Sequence, residues 1–165
     1  MDDSENPNGE VQYHLGIGPD DTAGPVLLPG DPERVPKIAE AWENTEETGH
    51  HREYRTVTGR YDGEPLTVTS TGIGSPGAAI AVEEHANLGT GTFIRVGSCG
   101  AIQPEMSVGD LVITTGAVRQ EGTSKEYVRE EYPAAAHPEV VTALVAACEE
   151  LGYDYHCGVT LSTDS

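Results

Sequence analysis

Lysine is almost missing from this 165-residue chain: Lys37 and Lys125 are the only two, and Lys plus Arg number 9 against 28 Asp plus Glu. The resulting formal charge of −19 repels phosphodiester backbones and anionic headgroups, so nucleic-acid binding and polybasic membrane reading are excluded. Cysteine is scarce as well. Cys99, Cys148 and Cys157 form neither an even set nor a metal-ligand spacing, which predicts reduced thiols in a cytosol. No run approaches the ~18 apolar residues of a membrane span. The opening Met1-Asp2-Asp3-Ser4-Glu5 is acidic where a secretory leader is basic. A soluble, cytoplasmic protein is expected.

The length suits one domain with a sizeable core. Acids are spread along the whole sequence rather than gathered in a tail. That spread favours a salt-loving host, where ~1 M salt shortens the Debye length to about 3 Å and screens self-repulsion. The alternative is an ordinary acidic protein kept soluble by its charge.

Residues 1–12 are polar and read as a flexible acidic arm, with a single α/β domain over 13–165. Pro25-Val26-Leu27-Leu28 predicts a buried strand. Asp31-Pro32-Glu33-Arg34 then offers an N-cap and a proline for a helix reaching Trp42. Runs 54–60 and 65–70 flank Asp62-Gly63, the dipeptide of a type I′ hairpin. A small-residue helix should follow Gly74–Gly77 to about Leu88, and strands are expected over 92–96, 109–115 and 157–161. Apolar residues at 140, 141, 144, 145, 148 and 151 give the helical period from His137 to Leu151. The fold class is α/β: a mixed, partly parallel twisted sheet flanked by helices. The chain stops at Thr163-Asp164-Ser165, right after a predicted central strand, so a C-terminally truncated, incomplete domain is expected.

Three glycine-rich turns carry the chemistry. In Leu28-Pro29-Gly30-Asp31-Pro32-Glu33-Arg34 a strand, a glycine and a helix start aim backbone N–H groups at one spot, and Arg34 can fork onto an anion. The competing reading is a capped helix whose arginine pairs with a neighbouring acid. Thr71-Gly72-Ile73-Gly74-Ser75-Pro76-Gly77 holds a literal G-x-G-x-x-G. A dinucleotide site also needs an acid at the end of the next strand, and that strand ends in Arg95-Val96-Gly97. A nicotinamide-dependent oxidoreductase is therefore a distant reading. In Arg95-Val96-Gly97-Ser98-Cys99, a charged residue closes an apolar strand where α/β sheets hold ligands. The alternative pairs Arg95 with a carboxylate beside a buried Cys99. His50-His51-Arg52-Glu53 is a poor metal site, because neighbours on a strand face opposite ways. His14 reads as a surface histidine, and Glu83 and Glu84 as a helix face.

Taken together, Leu-Pro-Gly-Asp-Pro-x-Arg at 28–34, His-Arg-Glu at 51–53, Ser-Thr-Gly-Ile-Gly at 70–74 and Thr-Phe-Ile-Arg-Val-Gly-Ser-Cys-Gly-Ala-Ile-Gln at 92–103 resemble the uridine phosphorylase and hexameric purine nucleoside phosphorylase family. The resemblance runs from about His14 to Ser165. It implies phosphorolysis of nucleosides, uridine foremost, to free base and ribose 1-phosphate in salvage or catabolism. Purine nucleosides such as inosine and guanosine are the alternative substrates; a non-catalytic phosphate-binding fragment is the alternative class. Under the resemblance Gly30, Arg34, Arg95, Gly97 and Ser98 hold phosphate, with catalysis resting on Arg95. Arg52 reaches a neighbouring subunit's phosphate, and His14, with Ser98, contacts ribose. A homo-oligomer follows, a dimer at least and usually a hexamer. No organic cofactor is implied; inorganic phosphate is the co-substrate. Glu53 and Ile73 match a potassium site of the uridine branch, although Gly77 stands where that branch has a serine. Ser98-Cys99 follows the purine branch. The base pocket and a Met-Glu ribose segment would lie beyond Ser165.

Overall fold

The computed structural model describes residues 11–164; most of the arm expected over 1–12 lies outside them, while Gln12 at its end is buried. The chain resolves into two compact units, one reaching Ser98 and the other beginning at Cys99, where the sequence reading expects a single domain over 13–165.

The first unit is a five-stranded mixed sheet in the order β2-β3-β4-β1-β5. Its strands are β1 (Val26–Pro29), β2 (Glu43–His51), β3 (Tyr54–Tyr61), β4 (Glu64–Thr69) and β5 (Phe93–Val96), with helices α1 (Arg34–Ala39) and α2 (Ser75–Asn87). β1 lies parallel to both β4 and β5, whereas β2, β3 and β4 form an antiparallel meander. The Asp62-Gly63 turn joins β3 to β4 with both residues at positive φ, 51° and 80°. That is the backbone a two-residue type I′ hairpin requires.

Two differences from the sequence reading have plain causes. α1 begins at Arg34 and ends at Ala39, short of Trp42. Asp31 does not cap it as expected: its carboxylate accepts the Glu33 N–H at 2.9 Å and makes a tight turn before the helix. β2, Glu-Asn-Thr-Glu-Glu-Thr-Gly-His-His, has no counterpart in the sequence reading because it is an edge strand exposed over most of its length. It shows no apolar alternation, which is the signal on which strand reading depends.

The core forms two clusters. Leu15, Ile17, Val26, Leu28, Tyr54 and Ala81 make one, and Val35, Ala39, Val57 and Val68 the other. The same unit buries a polar group. His85, fully buried, meets Thr69 Oγ1 at 2.8 Å and Thr22 Oγ1 at 3.2 Å through its two ring nitrogens. Each polar atom is thereby satisfied, as burial demands.

The second unit is a three-stranded sheet, β7-β6-β8, with β6 (Leu111–Gln120) parallel to β8 (Tyr155–Thr163) and antiparallel to β7 (Ala134–Ala135). The short α3 (Ser124–Tyr127) and the long α4 (Pro138–Leu151) complete it. α4 turns its Val140, Val141, Leu144, Val145 and Cys148 side inward, as the periodicity predicts, whereas Leu151, the last residue of that period, is 68% exposed. It ends at Gly152 in the left-handed conformation, the usual C-terminal stop. Among the described residues no helix is long and apolar enough to cross a membrane.

Candidate functional site: an arginine pair at the strand ends

Because β4, β1 and β5 run parallel side by side, their carboxyl ends fall on one edge of the sheet. That edge is where open α/β sheets hold ligands. β1 ends there in Gly30, β4 in Ser70-Thr71-Gly72, and β5 in Gly97 and Ser98. Thr71 N–H donates to the Pro29 carbonyl at 2.9 Å, tying two of the turns together.

Two guanidinium groups meet at this edge. Arg95 donates from Nη1 to the Leu28 carbonyl at 2.8 Å and the Val96 carbonyl at 3.1 Å; Arg34 donates to the same Val96 carbonyl at 3.3 Å. Among the described residues neither makes an ion pair with a carboxylate. Cys99 is exposed, so both premises of the structural alternative for Arg95 fail. Burial, and next the charge of Arg34, push the Arg95 guanidinium down from its ordinary value. Two like charges held together without a counter-ion are costly unless an anion joins them.

The glycines shape the space in front of this pair. A Cβ on Gly30 would meet Arg95 Nη2 at 3.2 Å and the Gly72 carbonyl at 3.3 Å, and one on Gly97 would stand 3.4 Å from Arg95 Nη1. Side chains at either position would crowd the fork where an anion would bind. Ser98 is exposed beside them. Of the expected phosphate-binding set, the structure thus brings together Gly30, Arg34, Arg95, Gly97 and Ser98.

Arg52, the remaining member, occupies the β2–β3 turn at φ 56°; it is exposed and is not drawn into the pair. Glu53 follows it and packs on the next glycine turn: a Cβ at Gly72 would approach Glu53 Cγ to 2.8 Å. This sets Glu53 next to the fully exposed Ile73. Among the described residues no group of three or more His, Cys, Asp or Glu could hold a metal. Two of the G-x-G-x-x-G glycines serve packing, Gly72 against Glu53 and Gly77, where a Cβ would fall 2.4 Å from the Thr71 carbonyl oxygen; Gly74, at φ 94°, serves the turn. His50 lies 3.8 Å from Glu47, while His51 turns away to the His14 carbonyl at 2.9 Å.

Sequence reasoning missed one residue that the site's surroundings depend on. Glu84 is only 8% exposed and takes up the His14 imidazole at 2.5 Å. Its signal was available: with Ala81, His85 and Leu88 it shares the i, i+3, i+4, i+7 face of α2, so an acid lies on the buried side. The second unit holds a separate pair. Asp110 accepts from Ser107 N–H at 2.9 Å and His156 Nε2 at 3.0 Å, the first and second causes of its lowered pKa. Asp164 accepts the Gly122 N–H at 2.9 Å. A cavity of about 350 Å³ opens at the opposite, amino ends of β1 and β5, among Thr22, Gly24, Pro25, Gly89, Thr90 and Thr92. It touches none of the candidate residues.

A strand-end arginine pair framed by glycines on a mixed α/β sheet defines a class, and comparison with known proteins gives that class its family. The phosphorylase superfamily model matches residues 26–165, and the chain belongs to that superfamily. It is 60% identical over 164 residues to the uridine phosphorylase of Thermococcus kodakarensis, covering 98% of this chain and 59% of that protein. It is 46% identical over 154 residues to the guanosine phosphorylase of Halorubrum lacusprofundi, covering 93% and 64%. The uridine phosphorylase of Escherichia coli is 46% identical over 155 residues, covering 93% and 61%. The chain therefore spans about three fifths of the length of these relatives.

Proposed function

We propose that the protein is a nucleoside phosphorylase in which phosphate displaces the base from C1′ of a nucleoside, releasing free base and ribose 1-phosphate. The observation that carries this reading is the Arg34–Arg95 pair, joined through one carbonyl and lacking an acidic partner among the described residues. Phosphate is a weak nucleophile, so the work of such a site is alignment and charge. Gly30, Gly97 and Ser98 would admit its oxygens while Arg34 and Arg95 hold them in line for attack. The bound anion then lies beside the positive charge developing on the sugar. No covalent nucleophile is required of the protein.

Uridine is the favoured substrate, supported by the 60% identity to the Thermococcus kodakarensis uridine phosphorylase. A purine nucleoside is the second reading, supported by Ser98-Cys99 and by the Halorubrum lacusprofundi guanosine phosphorylase. We further infer a cytoplasmic homo-oligomer, a dimer at least and a hexamer by family habit. In it Arg52 extends toward a neighbour's phosphate and His14 toward its ribose. The exposed hairpin position of Arg52 and the exposed Tyr13 and Ile73 support such an edge. A potassium ion, where bound, would take the Glu53 carboxylate and the Ile73 carbonyl; Gly77 adds no side-chain oxygen. Residues 13–165 would form part of one phosphorylase domain.

The test is base release from uridine, inosine and guanosine by the full-length protein in concentrated KCl, with and without phosphate. Phosphate-dependent release, greatest with uridine, is expected. Equal release without phosphate would sink phosphorolysis in favour of hydrolysis.

A further inference from the structure

The segment before β1 is held by more bonds than a terminal extension requires. Gln12 N–H donates to the Ile17 carbonyl at 2.7 Å and Gly16 N–H to the Gln12 carbonyl at 2.9 Å. Leu15 and Ile17 are fully buried in the core, and Gly16 at φ 69° allows the reversal between them. His14 sits at the top of this loop. Glu84, reaching up from α2, binds it three ways. It accepts the His14 N–H at 3.0 and 3.1 Å through its two oxygens, the Leu15 N–H at 2.8 Å, and the His14 Nδ1 proton at 2.5 Å. On the other side His51 Nδ1 donates to the His14 carbonyl at 2.9 Å, and Tyr13 meets the His14 ring edge-on at 4.9 Å between centroids.

An ionised carboxylate only accepts, so a neutral His14 ring must carry its proton on Nδ1 to make the contact with Glu84. The other nitrogen, Nε2, is then a bare acceptor, and the side chain remains 33% exposed. We propose that Glu84 is a positioning residue: it fixes the orientation and tautomer of His14 so that Nε2 is presented as an acceptor for a hydroxyl of the ligand. This rests on the nucleoside phosphorylase reading only for the identity of that hydroxyl, a sugar O–H. The same second-layer logic governs histidines elsewhere, where the hydrogen bond made by one ring nitrogen decides the role of the other.

Glu84→Gln keeps size and removes the double acceptor. Its carbonyl oxygen can hold the Leu15 and His14 backbone N–H groups, which turns the amide NH2 toward Nδ1. The ring then has to invert, with Nδ1 accepting and Nε2 carrying the proton.

Two measurements decide the matter. In ¹⁵N-histidine-labelled protein at a pH near 8.5, where a free imidazole is neutral, long-range ¹H–¹⁵N spectra report the tautomer of His14, assigned by its loss in His14→Gln. Nδ1 protonation in the wild type is expected; an Nε2-protonated or averaged ring overturns the proposal, whether or not any variant folds. In the phosphorolysis assay, Glu84→Gln should raise the nucleoside KM about three- to tenfold, the value of one hydrogen bond, and leave the phosphate KM unchanged. His14→Ala should do the same, and the double variant should be no worse than either alone. Additive losses, or an equal rise in the phosphate KM, would make Glu84 a merely structural residue and overturn the proposal. Absence of phosphate-dependent base release from the wild type would defeat the phosphorylase reading, with the tautomer measurement still deciding the role of Glu84.

Discussion

Arg95 and His85 are both ionisable residues of the first unit, and the structure treats them in opposite ways. Arg95 stays cationic without an acidic partner among the described residues, beside a second arginine. Arg95→Ala should leave the melting temperature in phosphate-free buffer nearly unchanged, because the lost hydrogen bonds are offset by relief of like-charge repulsion. The stabilisation by added phosphate should need roughly 10- to 100-fold more phosphate, the worth of a charged hydrogen-bond pair, as read by thermal shift titration. His85 is held neutral: burial pushes its pKa down from 6.5 to about 4. In the unfolded chain the ring takes up a proton below its ordinary value. Stability is therefore fully present above pH 6.5 and falls as pH drops from there to about 4, by up to about 3 kcal/mol. Urea melts of wild type and His85→Gln, compared across that window, should show a steeper acid loss for the wild type.

At the scale of elements, the turns at the parallel strand ends are set by close backbone approaches. Gly77 lies in the first turn of α2 against the Thr71 carbonyl, where a Cβ would stand 2.4 Å from oxygen. Backbone cannot swing aside as a side chain does, so Gly77→Ala should cost about 1–3 kcal/mol. By shifting the β4 turn it should also weaken phosphate binding. Gly152→Ala at the end of α4 is the control: φ is 70° but nothing lies within 4 Å, so only the left-handed backbone cost of roughly 1–2 kcal/mol applies. Chemical denaturation of both variants, with phosphate titration of the first, distinguishes crowding from strain.

For the whole molecule, −19 charges on 165 residues act as a distributed self-repulsion that salt screens. Raising KCl from about 0.1 to 2 M should raise the melting temperature, each kcal/mol of relieved repulsion appearing as about 2–4 °C for a chain of this size. A melting temperature flat in KCl would remove the argument for a salt-adapted protein. Local potential is a different matter. Arg34 and Arg95 make a cationic spot within an acidic surface because a few oriented donors outweigh distant charges at short range.

Much of the fold was legible because its signals are local. The β3–β4 hairpin follows from the Asp62-Gly63 turn, α4 from its apolar period, and β1 and β5 from short apolar runs closed by glycine. Those signals hold because turn sterics and amphipathic spacing act within a few residues. Local signals also pointed to Arg95, at the end of β5, as a candidate anion donor, and left Arg34, at the start of α1, open between an anion site and a capped helix. What the tertiary structure decided is everything that depends on residues distant in the chain. Arg34 and Arg95 share one carbonyl across 61 positions because β1 pairs with β5. Glu84 reaches His14 across 70 positions, and no spacing rule connects a carboxylate on one helix to a loop that core packing alone brings beside it. The edge strand β2 belongs here too, being a strand by virtue of hydrogen bonds from β3 and not of its own side chains.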